Sequence, residues 1–451
     1  WGKITPTLYE RKCANLDTLI SNVTAVTMNP RMEVIFGAYI GIEDGKIVSI
    51  ERKPPAEAPK AIVDGTGMVA IPGLINCHTH LATASLRCFT DDLGNTEALQ
   101  ALLQKEAKMD SRSAKAAASL AIAECLRFGV TSVSDLYYYP NATAEAVAES
   151  GIKANIARGA TLFGEDFDFE THPACRELVA LKEKWDGYDN GRIRVEASVH
   201  GEYTSDYRLW DALSEFAINE KVGMHVHLSE TKAEHEQCLE RNGLTPAQVL
   251  DCHHVFDTRA IAAHCVWVTP EDMRLLAKRG VTAVHCPVSN LKLASGCAPV
   301  TEMVKAGMNV ALGTDSSASN NNLDLFEEMK AAALMAKVTS GDPKALPVEA
   351  VLMMATACGA RAQGREAECG MLKLGMDADL VLLDFTSPHL MPCHNVMSHL
   401  VYAASGHDVV MTMVRGQVLY AAGKYPTIDL DSVVRELSGY VMPRIFEEAR
   451  S

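Results

Sequence analysis

Two histidines separated by one residue, His78 and His80, follow an apolar segment. Their side chains and their spacing are those of a pair of metal ligands. In an extended strand, residues i and i+2 lie on the same face, so both imidazole rings would point in one direction. Neutral imidazole is a good ligand for zinc and iron, and two such rings at the end of a strand suit a divalent metal ion. A pair of solvated loop histidines is the alternative explanation.

Three further segments place a polar side chain directly after a short apolar run: HVHLSE with His225, His227 and Glu230, AAHC with His264, and GTDSS with Asp315. The first two histidines alternate with a valine and share a face, so the pattern leaves open which of them would bind a metal. Taken singly, His264 could be a structural histidine and Asp315 a helix N-cap. Together, the four segments indicate one metal-dependent site.

A hydrolytic zinc site keeps a few protein ligands and one position for water, whose pKa the metal lowers to about 7. The sequence offers His78, His80, one histidine of the HVHLSE segment and Asp315 as ligands. Together with one water molecule they would form a site for a single ion.

Two other residues could move protons at this site. Glu230 comes just after a predicted strand, where its carboxylate can reach the water and pass a proton to a substrate. His264 ends another predicted strand and could help Asp315 to orient the water. His285 also lies near a strand end, and for it we favour a structural role.

The central part of the chain has the alternating pattern that would bring these residues together. Eight short apolar runs alternate with helical patterns, the order expected of a (β/α)8 barrel, whose site lies at the C-terminal ends of the strands. The predicted strands are the segment before His78 and residues 131–135, 153–156, 193–199, 222–228, 260–263, 281–284 and 309–312. The predicted helices include residues 113–128, 209–220, 270–279, 299–306 and 347–362.

Both ends of the chain have a pattern typical of antiparallel β structure. Residues 19–50 alternate like strands around an Asp-Gly turn, residues 61–71 form another β run, and residues 370–383, 409–414 and 418–420 return to this pattern. Neither set alone would bury a large core, so we expect them to join in a small β-sandwich. The predicted limits are 14–70 and 366–428 for the two sandwich parts, 71–365 for the barrel and 429–451 for a C-terminal helix.

Composition excludes several classes of partner. The 451 residues include 42 Lys and Arg against 57 Asp and Glu, a net charge of −15, and the basic residues are scattered. We therefore expect no nucleic-acid partner, and no apolar segment approaches the roughly 20 residues of a membrane span. The 13 cysteines are odd in number and irregularly spaced, which favours free thiols and a cytoplasmic protein. The candidate site indicates a small-molecule substrate.

Five segments resemble the amidohydrolase superfamily: PGLINCHTH, HVHLSET, AAHCVWV, HCPVSNLKL and GTDSSASNN. Within it, they are most similar to the branch of methylthioadenosine and S-adenosylhomocysteine deaminases and their atrazine-hydrolase relatives. The resemblance spans nearly the whole chain and implies one divalent metal ion, zinc or alternatively Fe²⁺. It implies the metal ligands His78, His80, His227 and Asp315, with Glu230 and His264 as proton-transfer residues. No lysine stands at the end of the fourth strand, so a binuclear site is not expected.

The resemblance also implies contacts with a substrate. His200 matches a histidine that contacts a purine ring nitrogen. Ser319 is a further candidate for contact with the purine ring. If the alignment is shifted by one residue, Glu106 matches the glutamate that binds the ribose hydroxyl groups. Arg158 matches the first of two arginines that hold a homocysteine carboxylate, but acidic residues fill the region expected to supply the second.

We therefore expect a metal-dependent aminohydrolase that releases ammonia from an amino-substituted nitrogen heterocycle. An adenosine derivative is the favoured substrate: 5'-deoxyadenosine, methylthioadenosine, S-adenosylhomocysteine or adenosine. The alternatives are a triazine-type hydrolase that releases halide or an alkylamine, a deaminase of a free purine- or pyrimidine-like base, and a binding protein without catalysis. Glu230 and His264 favour deamination, because ammonia needs a proton to leave and chloride does not. By analogy with related barrels we expect a homo-oligomer, a dimer or tetramer.

Overall fold

The structure, a computed structural model, describes residues 16–56, 58–164 and 166–446. The predicted start of the sandwich at residue 14 and the end of the predicted C-terminal helix lie outside these ranges. The domain limits given above stay predictions. Among the described helices, none combines the length and the apolar composition that crossing a membrane requires.

The N-terminal part of the chain forms five strands. They are β1 (Thr18–Val26), β2 (Val34–Glu43), β3 (Lys46–Glu51), β4 (Ala61–Asp64) and β5 (Met68–Pro72). The predicted Asp-Gly turn joins β2 to β3, with Glu43 paired to Lys46. Asp44 and Gly45 both have positive φ, 49° and 73°, which a two-residue hairpin turn of this kind requires.

The centre of the molecule is a closed barrel of parallel strands. They are β6 (Leu74–His80), β7 (Val130–Tyr137), β8 (Lys153–Arg158), β9 (Ile193–Ser198), β10 (Gly223–Leu228), β11 (Ala260–His264), β12 (Thr282–His285), β13 (Asn309–Leu312) and the two-residue β14 (Asp315–Ser316). Strands β6 to β13 are neighbours in chain order, and β14, which continues β13, pairs with β6 and closes the barrel. All eight predicted barrel strands are confirmed.

Three late strands complete the smaller domain: β15 (Leu380–Asp384), β16 (Val409–Val414) and β17 (Gln417–Ala421). The sheet runs β17-β16-β15-β5-β1-β2-β3, with β4 paired to β1. Residues of the early strands and of the late strands share one apolar core, which includes Ile40, Ile42, Leu380 and Met413. The predicted composite β-sandwich is therefore confirmed, and the protein is a (β/α)8 barrel with a small β-sandwich.

Helices surround the barrel, and a large core of apolar side chains lies between them and the strands. They are α1 (Asn95–Glu106), α2 (Ser111–Arg127), α3 (Pro140–Ser150), α4 (Pro173–Trp185), α5 (Tyr188–Gly191), α6 (Tyr207–Glu220), α7 (Lys232–Asn242), α8 (Pro246–Cys252), α9 (Pro270–Arg279), α10 (Pro287–Lys292), α11 (Val300–Lys305), α12 (Leu325–Ser340), α13 (Val348–Met354), α14 (Ala357–Ala362), α15 (Val396–Tyr402), α16 (Leu430–Glu436) and α17 (Met442–Phe446). A π-helical segment, Leu437–Val441, joins α16 to α17.

Two predicted elements were wrong in extent. The β pattern over residues 370–383 becomes a strand only from Leu380, because Gly370 and Gly375 have φ of 88° and 83° and turn the chain before it. The helical region over residues 347–362 is divided into α13 and α14 at Thr356. This residue has non-helical φ and ψ, and its hydroxyl donates to the carbonyl of Leu352.

Candidate metal-dependent active site

Four side chains converge at the C-terminal end of the barrel: His78 and His80 of β6, His227 of β10 and Asp315 of β14. Nε2 of His78 and Nε2 of His80 lie 3.5 and 3.3 Å from Oδ1 of Asp315. Nε2 of His227 lies 3.4 Å from Nε2 of His80. These contacts bring together the four residues that the sequence proposes as metal ligands. Two overlapping groups of three have ligand atoms within 4.8 Å of one another: His78, His80 and Asp315, and His78, His227 and His264.

Strand alternation decides the direction of the two histidines of β10. Met224, Val226 and Leu228 belong to the core between the barrel and its helices. Because successive residues of a strand point to opposite faces, His225 and His227 point into the barrel. His227 lies at the level of the converging group, and His225 lies one layer deeper.

Backbone carbonyl groups orient two of the histidines. Nδ1 of His227 donates to the carbonyl oxygen of His200 at 2.6 Å, and Nδ1 of His80 donates to that of Leu136. A carbonyl oxygen can only accept, so each Nδ1 carries the hydrogen and the Nε2 of a neutral ring keeps its lone pair. In neutral rings these lone pairs would face the centre, as metal ligation requires.

The geometry fits a divalent cation. Nε2 of His78 is buried and has no hydrogen-bond partner among the described residues, although it faces the carboxylate of Asp315. Buried polar atoms normally have a partner, and an unpartnered nitrogen beside a carboxylate and two further imidazoles is accounted for by a bound cation. Three imidazole nitrogens and one carboxylate oxygen are a ligand set that suits zinc.

Burial and the histidines together control the charge of Asp315. Burial alone would raise the pKa of its carboxyl group, but the neighbouring rings of His78 and His80 outweigh this and hold the pKa well below its usual value. Burial lowers the pKa of His227 well below its ordinary value. The site therefore contains a carboxylate and a neutral imidazole, the forms in which both groups bind metals.

The two proposed proton-transfer residues lie side by side next to the ligands. Nε2 of His264 lies 3.8 Å from Oε2 of Glu230, and both residues line the same cavity as Asp315. The loop that carries Glu230 is fixed by Glu234, whose carboxylate accepts the backbone N–H groups of Ser229 and Glu230 at 2.8 Å each. The structure thus leaves the carboxylate of Glu230 directed into the cavity.

The backbone is strained at the strand ends that carry these groups. His264 has φ of 71° and Asp315 has φ of 64°, in the left-handed region that residues with side chains rarely adopt. Such strain is concentrated at functional sites, where the surrounding structure maintains it. Here it turns the chain immediately after β11 and at β14, so that both side chains face the cavity.

The cavity above the converging atoms is walled mainly by apolar side chains: Leu102, Leu103, Leu136, Tyr138, Tyr203 and Leu293. Three of the four residues that were predicted to contact a substrate, His200, Glu106 and Ser319, also line it. The wall could accommodate a flat ring, with the polar groups placed to recognise its edges.

His200 and Glu106 occupy different parts of this cavity. Nδ1 of His200 lies 3.1 Å from the hydroxyl of Thr204, and burial lowers the pKa of His200 to about 4, so its ring is neutral. Glu106, at the end of α1, accepts a hydrogen bond of 2.6 Å from the hydroxyl of Tyr137. Burial raises the pKa of Glu106, and this bond only partly opposes the effect.

Ser319 and Arg158 are placed differently from the sequence interpretation. The hydroxyl of Ser319 donates to Oδ2 of Asp315 at 2.8 Å, so this serine also holds a candidate ligand. Arg158 does not line the central cavity among the described residues; it lies in an adjoining pocket, with its guanidinium paired to Glu177. Both assignments as substrate contacts stay predictions.

Sequence reasoning missed several supporting residues. Ser289 donates to Oδ2 of Asp315 at 2.6 Å, and Asn290 accepts at Oδ1 from Nδ1 of His264 at 3.0 Å. Both lie in the HCPVSNLKL segment just after β12, so the rule that barrel sites lie after strand ends would have indicated them. His285 in the same segment is buried and is not among the residues that line the cavity, and its structural role stays a prediction.

The sequence is similar to those of known amidohydrolases. The model of the amidohydrolase family matches residues 69–419. A protein of Methanosarcina mazei named 5'-deoxyadenosine deaminase is 40% identical over 421 residues, which cover 93% of this chain and 96% of that protein. A protein of Pelotomaculum thermopropionicum named 5-methylthioadenosine/S-adenosylhomocysteine deaminase is 39% identical over 422 residues, with the same coverage.

A solved structure has a similar fold. The crystal structure of an adenosine deaminase from Xanthomonas campestris with bound zinc has a TM-score of 0.90 and 30% identity, and the match covers 96% of this chain and 99% of that one. The sequence, the fold and the arrangement of the converging side chains thus all indicate the same family. The chain belongs to the amidohydrolase family.

Proposed function

We propose that this protein is a zinc-dependent aminohydrolase that removes the amino group of an adenosine derivative as ammonia. The observation that carries the proposal is the convergence of three imidazole nitrogens and one carboxylate oxygen beside Glu230 and His264. The names of the similar proteins, which refer to 5'-deoxyadenosine, methylthioadenosine and S-adenosylhomocysteine, support the substrate class.

His78, His80, His227 and Asp315 would hold a single zinc ion, and Fe²⁺ would fit the same ligands. The bound ion would act as a Lewis acid and make a water molecule nucleophilic near neutral pH. The chain's own residues would then orient that water and move its protons. Ser289 and Ser319, which both donate to Oδ2 of Asp315, would keep the carboxylate in place.

Glu230 would carry the proton. Its carboxylate faces the cavity, and a carboxylate in this position can accept a proton from the attacking water and deliver it to a ring nitrogen of the substrate. His264 would hold the water in line with the amine-bearing carbon, because its Nδ1 hydrogen is bound to Asn290 and its Nε2 faces the centre. The second proton of the water, now on the hydroxyl group of that carbon, would then pass through Glu230 to the amino group, and the bond between this carbon and the amino nitrogen would break to release ammonia.

The cavity supplies groups that could recognise a nucleoside. The neutral ring of His200 would contact a purine nitrogen, and the apolar wall would cover the faces of the purine. Glu106, already bound to Tyr137, would accept hydrogen bonds from ribose hydroxyl groups. Leu103 lies beside Glu106 on α1 and would complete the wall near the sugar.

Metal analysis and ammonia release together test this function. We expect about one zinc per chain and ammonia release from 5'-deoxyadenosine or methylthioadenosine. Glu230→Gln should retain zinc but lose turnover by about 10²- to 10⁴-fold, the usual contribution of a general acid/base group. Glu236→Gln, an exposed glutamate on α7, is the matched control and should behave like the wild type.

Three outcomes would contradict the proposal: two tightly bound metal ions per chain, full activity of the metal-free protein, or a Glu230→Gln variant within a few-fold of the wild type. An aminotriazine, a chlorotriazine and guanine belong in the same substrate panel. Activity confined to a triazine would establish the alternative reaction. The adjacent pair of Glu230 and His264 favours ammonia as the leaving group, because an amino group must be protonated before it can depart as ammonia.

We also propose that the protein is a cytoplasmic homo-oligomer, a dimer or tetramer. The oligomer is supported by analogy with related barrels. The cysteines of the described residues are all free thiols, which supports a reducing compartment. Light scattering that gives the mass of a single chain at micromolar concentration would contradict the oligomer.

A further inference from the structure

The candidate ligand His78 differs from the other two histidines in what holds its ring. His80 and His227 donate their Nδ1 hydrogens to backbone carbonyl groups. Nδ1 of His78 instead lies 2.9 Å from Nε2 of His225, a side chain deeper in the barrel. The orientation of this one ligand therefore depends on a residue that can be replaced without changing the backbone.

The contact between His78 and His225 has two possible arrangements of hydrogens. In the first, Nδ1–H of His78 donates to Nε2 of His225, and Nε2 of His78 keeps its lone pair for the centre. In the second, the hydrogen lies on Nε2 of His225, and Nε2 of His78 carries an N–H that points at the centre and would repel a cation. Only the first arrangement permits His78 to bind a metal, and it requires the hydrogen of His225 to lie on Nδ1.

Glu196 is placed to select this arrangement. Its Oε2 lies 3.8 Å from Nδ1 of His225, and each of these buried atoms has no hydrogen-bond partner among the described residues. The other carboxylate oxygen is held by Arg259 at 2.6 Å and by Asn155 at 2.8 Å. The carboxylate is thus fixed in place with an oxygen facing the nitrogen that must carry the hydrogen.

The attraction between this carboxylate and an N–H group is strong in such surroundings. Glu196 and His225 are both fully buried, and electrostatic interactions are much stronger in the interior of a protein than in water. A lone pair on Nδ1 facing the carboxylate would be repelled, whereas an N–H at this position is attracted. The separation of 3.8 Å between Oε2 of Glu196 and Nδ1 of His225 is longer than a hydrogen bond. The carboxylate therefore acts on His225 through its charge.

We propose that Glu196 and His225 are positioning residues that fix the tautomer of His78 and thereby raise the affinity of the site for its metal ion. The inference rests on the proposed metal-dependent function. Carboxylate groups commonly orient a metal-binding histidine directly. In this chain the carboxylate acts through a second histidine: Glu196 orients His225, and His225 orients His78, which would bind the ion.

Zinc affinity of the full-length protein, measured by competition with a chelator, tests the inference without recourse to activity. His225→Leu removes the acceptor for His78, and its zinc dissociation constant should rise about 10- to 100-fold, the usual effect of losing a partner of a metal ligand. His225→Gln places an amide oxygen near the position of Nε2 and should restore the affinity to within several-fold of the wild type. Glu196→Gln should give an intermediate loss.

The matched control is His285→Leu. His285 is another buried histidine of the barrel. Val284 and Cys286 on either side of it belong to an apolar cluster inside the barrel that also includes Ile75 and Ile261, so the ring of His285 points away from the barrel axis. We expect this variant to bind zinc with wild-type affinity. An equal loss in His285→Leu and His225→Leu would show a general effect of packing and would overturn the inference.

Other outcomes separate the inference from the function on which it rests. If wild-type protein does not bind zinc, the proposed function fails. If the wild type binds zinc tightly and His225→Leu binds it within twofold, the inference fails alone. Should His225→Leu not fold, the nitrogen-15 spectrum of wild-type histidine rings decides: a hydrogen on Nδ1 of His225 supports the inference, and one on Nε2 refutes it.

Discussion

At the scale of single residues, the surroundings of Arg158 bear on which substrates the proposed aminohydrolase would prefer. It ends β8, but its guanidinium pairs with Glu177 of α4 and lies 5.2 Å from the ring centre of Tyr138. The pocket around it also contains Asp166 and Asp168. A carboxylate that entered this pocket would meet an arginine already neutralised by a glutamate, with two further acidic groups close by.

We therefore predict that adenosine derivatives with a neutral 5' substituent are better substrates than S-adenosylhomocysteine. A charged hydrogen bond contributes about 1.5 to 3 kcal/mol, so an arginine that is not available to the carboxylate costs roughly ten- to a hundredfold in kcat/KM. Ammonia release from 5'-deoxyadenosine, methylthioadenosine and S-adenosylhomocysteine measures the ratio directly.

A variant links this preference to Arg158. Glu177→Gln frees the guanidinium and should raise kcat/KM for S-adenosylhomocysteine relative to methylthioadenosine. Glu183→Gln, an exposed glutamate on the same helix, is the control and should leave the ratio unchanged. A wild-type enzyme that clearly prefers S-adenosylhomocysteine would refute the argument.

The sequence predicted the residues at strand ends and missed the residues that hold them. His78, His227 and Asp315 could be found because each follows an apolar run, and parallel strands bring their C-terminal ends together. The contact of His78 with His225 could not be found in this way. It joins two strands that are not neighbours in the sheet, so it depends on the stagger of strands across the interior of the barrel.

At the scale of elements, the junction between β13 and β14 explains why a glycine precedes Asp315. A Cβ atom on Gly313 would lie 2.8 Å from Cβ of His78 and 2.9 Å from its backbone nitrogen. It would also lie 2.8 Å from a methyl group of Val284. The absence of a side chain at this position lets β14 approach β6, which closes the barrel and brings Asp315 to the histidines.

We predict that Gly313→Ala weakens zinc binding by tenfold or more and destabilises the protein by about 1 to 3 kcal/mol, because backbone atoms would have to move. Chelator competition and chemical denaturation measure the two effects. Gly439→Ala is the control, since a Cβ there meets nothing within 4 Å. It should leave zinc affinity unchanged and should not lower the stability of the protein. Wild-type zinc affinity in Gly313→Ala would show that the junction tolerates a side chain.

Elements were predicted well where hydrophobic periodicity was regular and poorly where turns interrupted it. The barrel strands are short apolar runs bounded by turn residues, and each was found within about two residues. Between Gly370 and Leu380, apolar residues alternate in the manner of a strand, but two glycines with positive φ fold this segment into turns. Alternation alone could not distinguish these cases, because the conformation of a glycine is not visible in a hydrophobic pattern.

At the scale of the whole molecule, an ion-pair network joins the barrel to the sandwich. Lys153 begins β8, and its Nζ lies 2.7 Å from Oδ2 of Asp377 and 2.5 Å from Oδ2 of Asp379, which precede β15. Its side chain is fully buried. Burial alone would lower the pKa of Lys153, but the two aspartates outweigh this and raise it, so the group is charged.

A second lysine allows the effect of burial to be measured separately. Lys46 of the sandwich binds the other oxygen of Asp377 at 2.7 Å, but its side chain is 53% exposed. An exposed ion pair contributes about 0 to 1 kcal/mol, whereas removal of one partner from a buried pair costs about 3 to 5 kcal/mol because a buried charge is left uncompensated. The same acceptor is thus paired with one buried cation and one exposed cation.

We predict that Lys153→Met lowers the free energy of unfolding by about 3 to 5 kcal/mol and that Lys46→Met lowers it by less than about 1 kcal/mol. Chemical denaturation followed by circular dichroism measures both changes. If the loss in Lys153→Met arises from the uncompensated charge, adding Asp379→Asn should recover part of it, since the second change removes the buried carboxylate that was paired with Lys153, whereas Asp377 stays paired with Lys46. Equal losses in the two single variants, or no recovery in the double variant, would mean that packing rather than charge joins the barrel to the sandwich at this point.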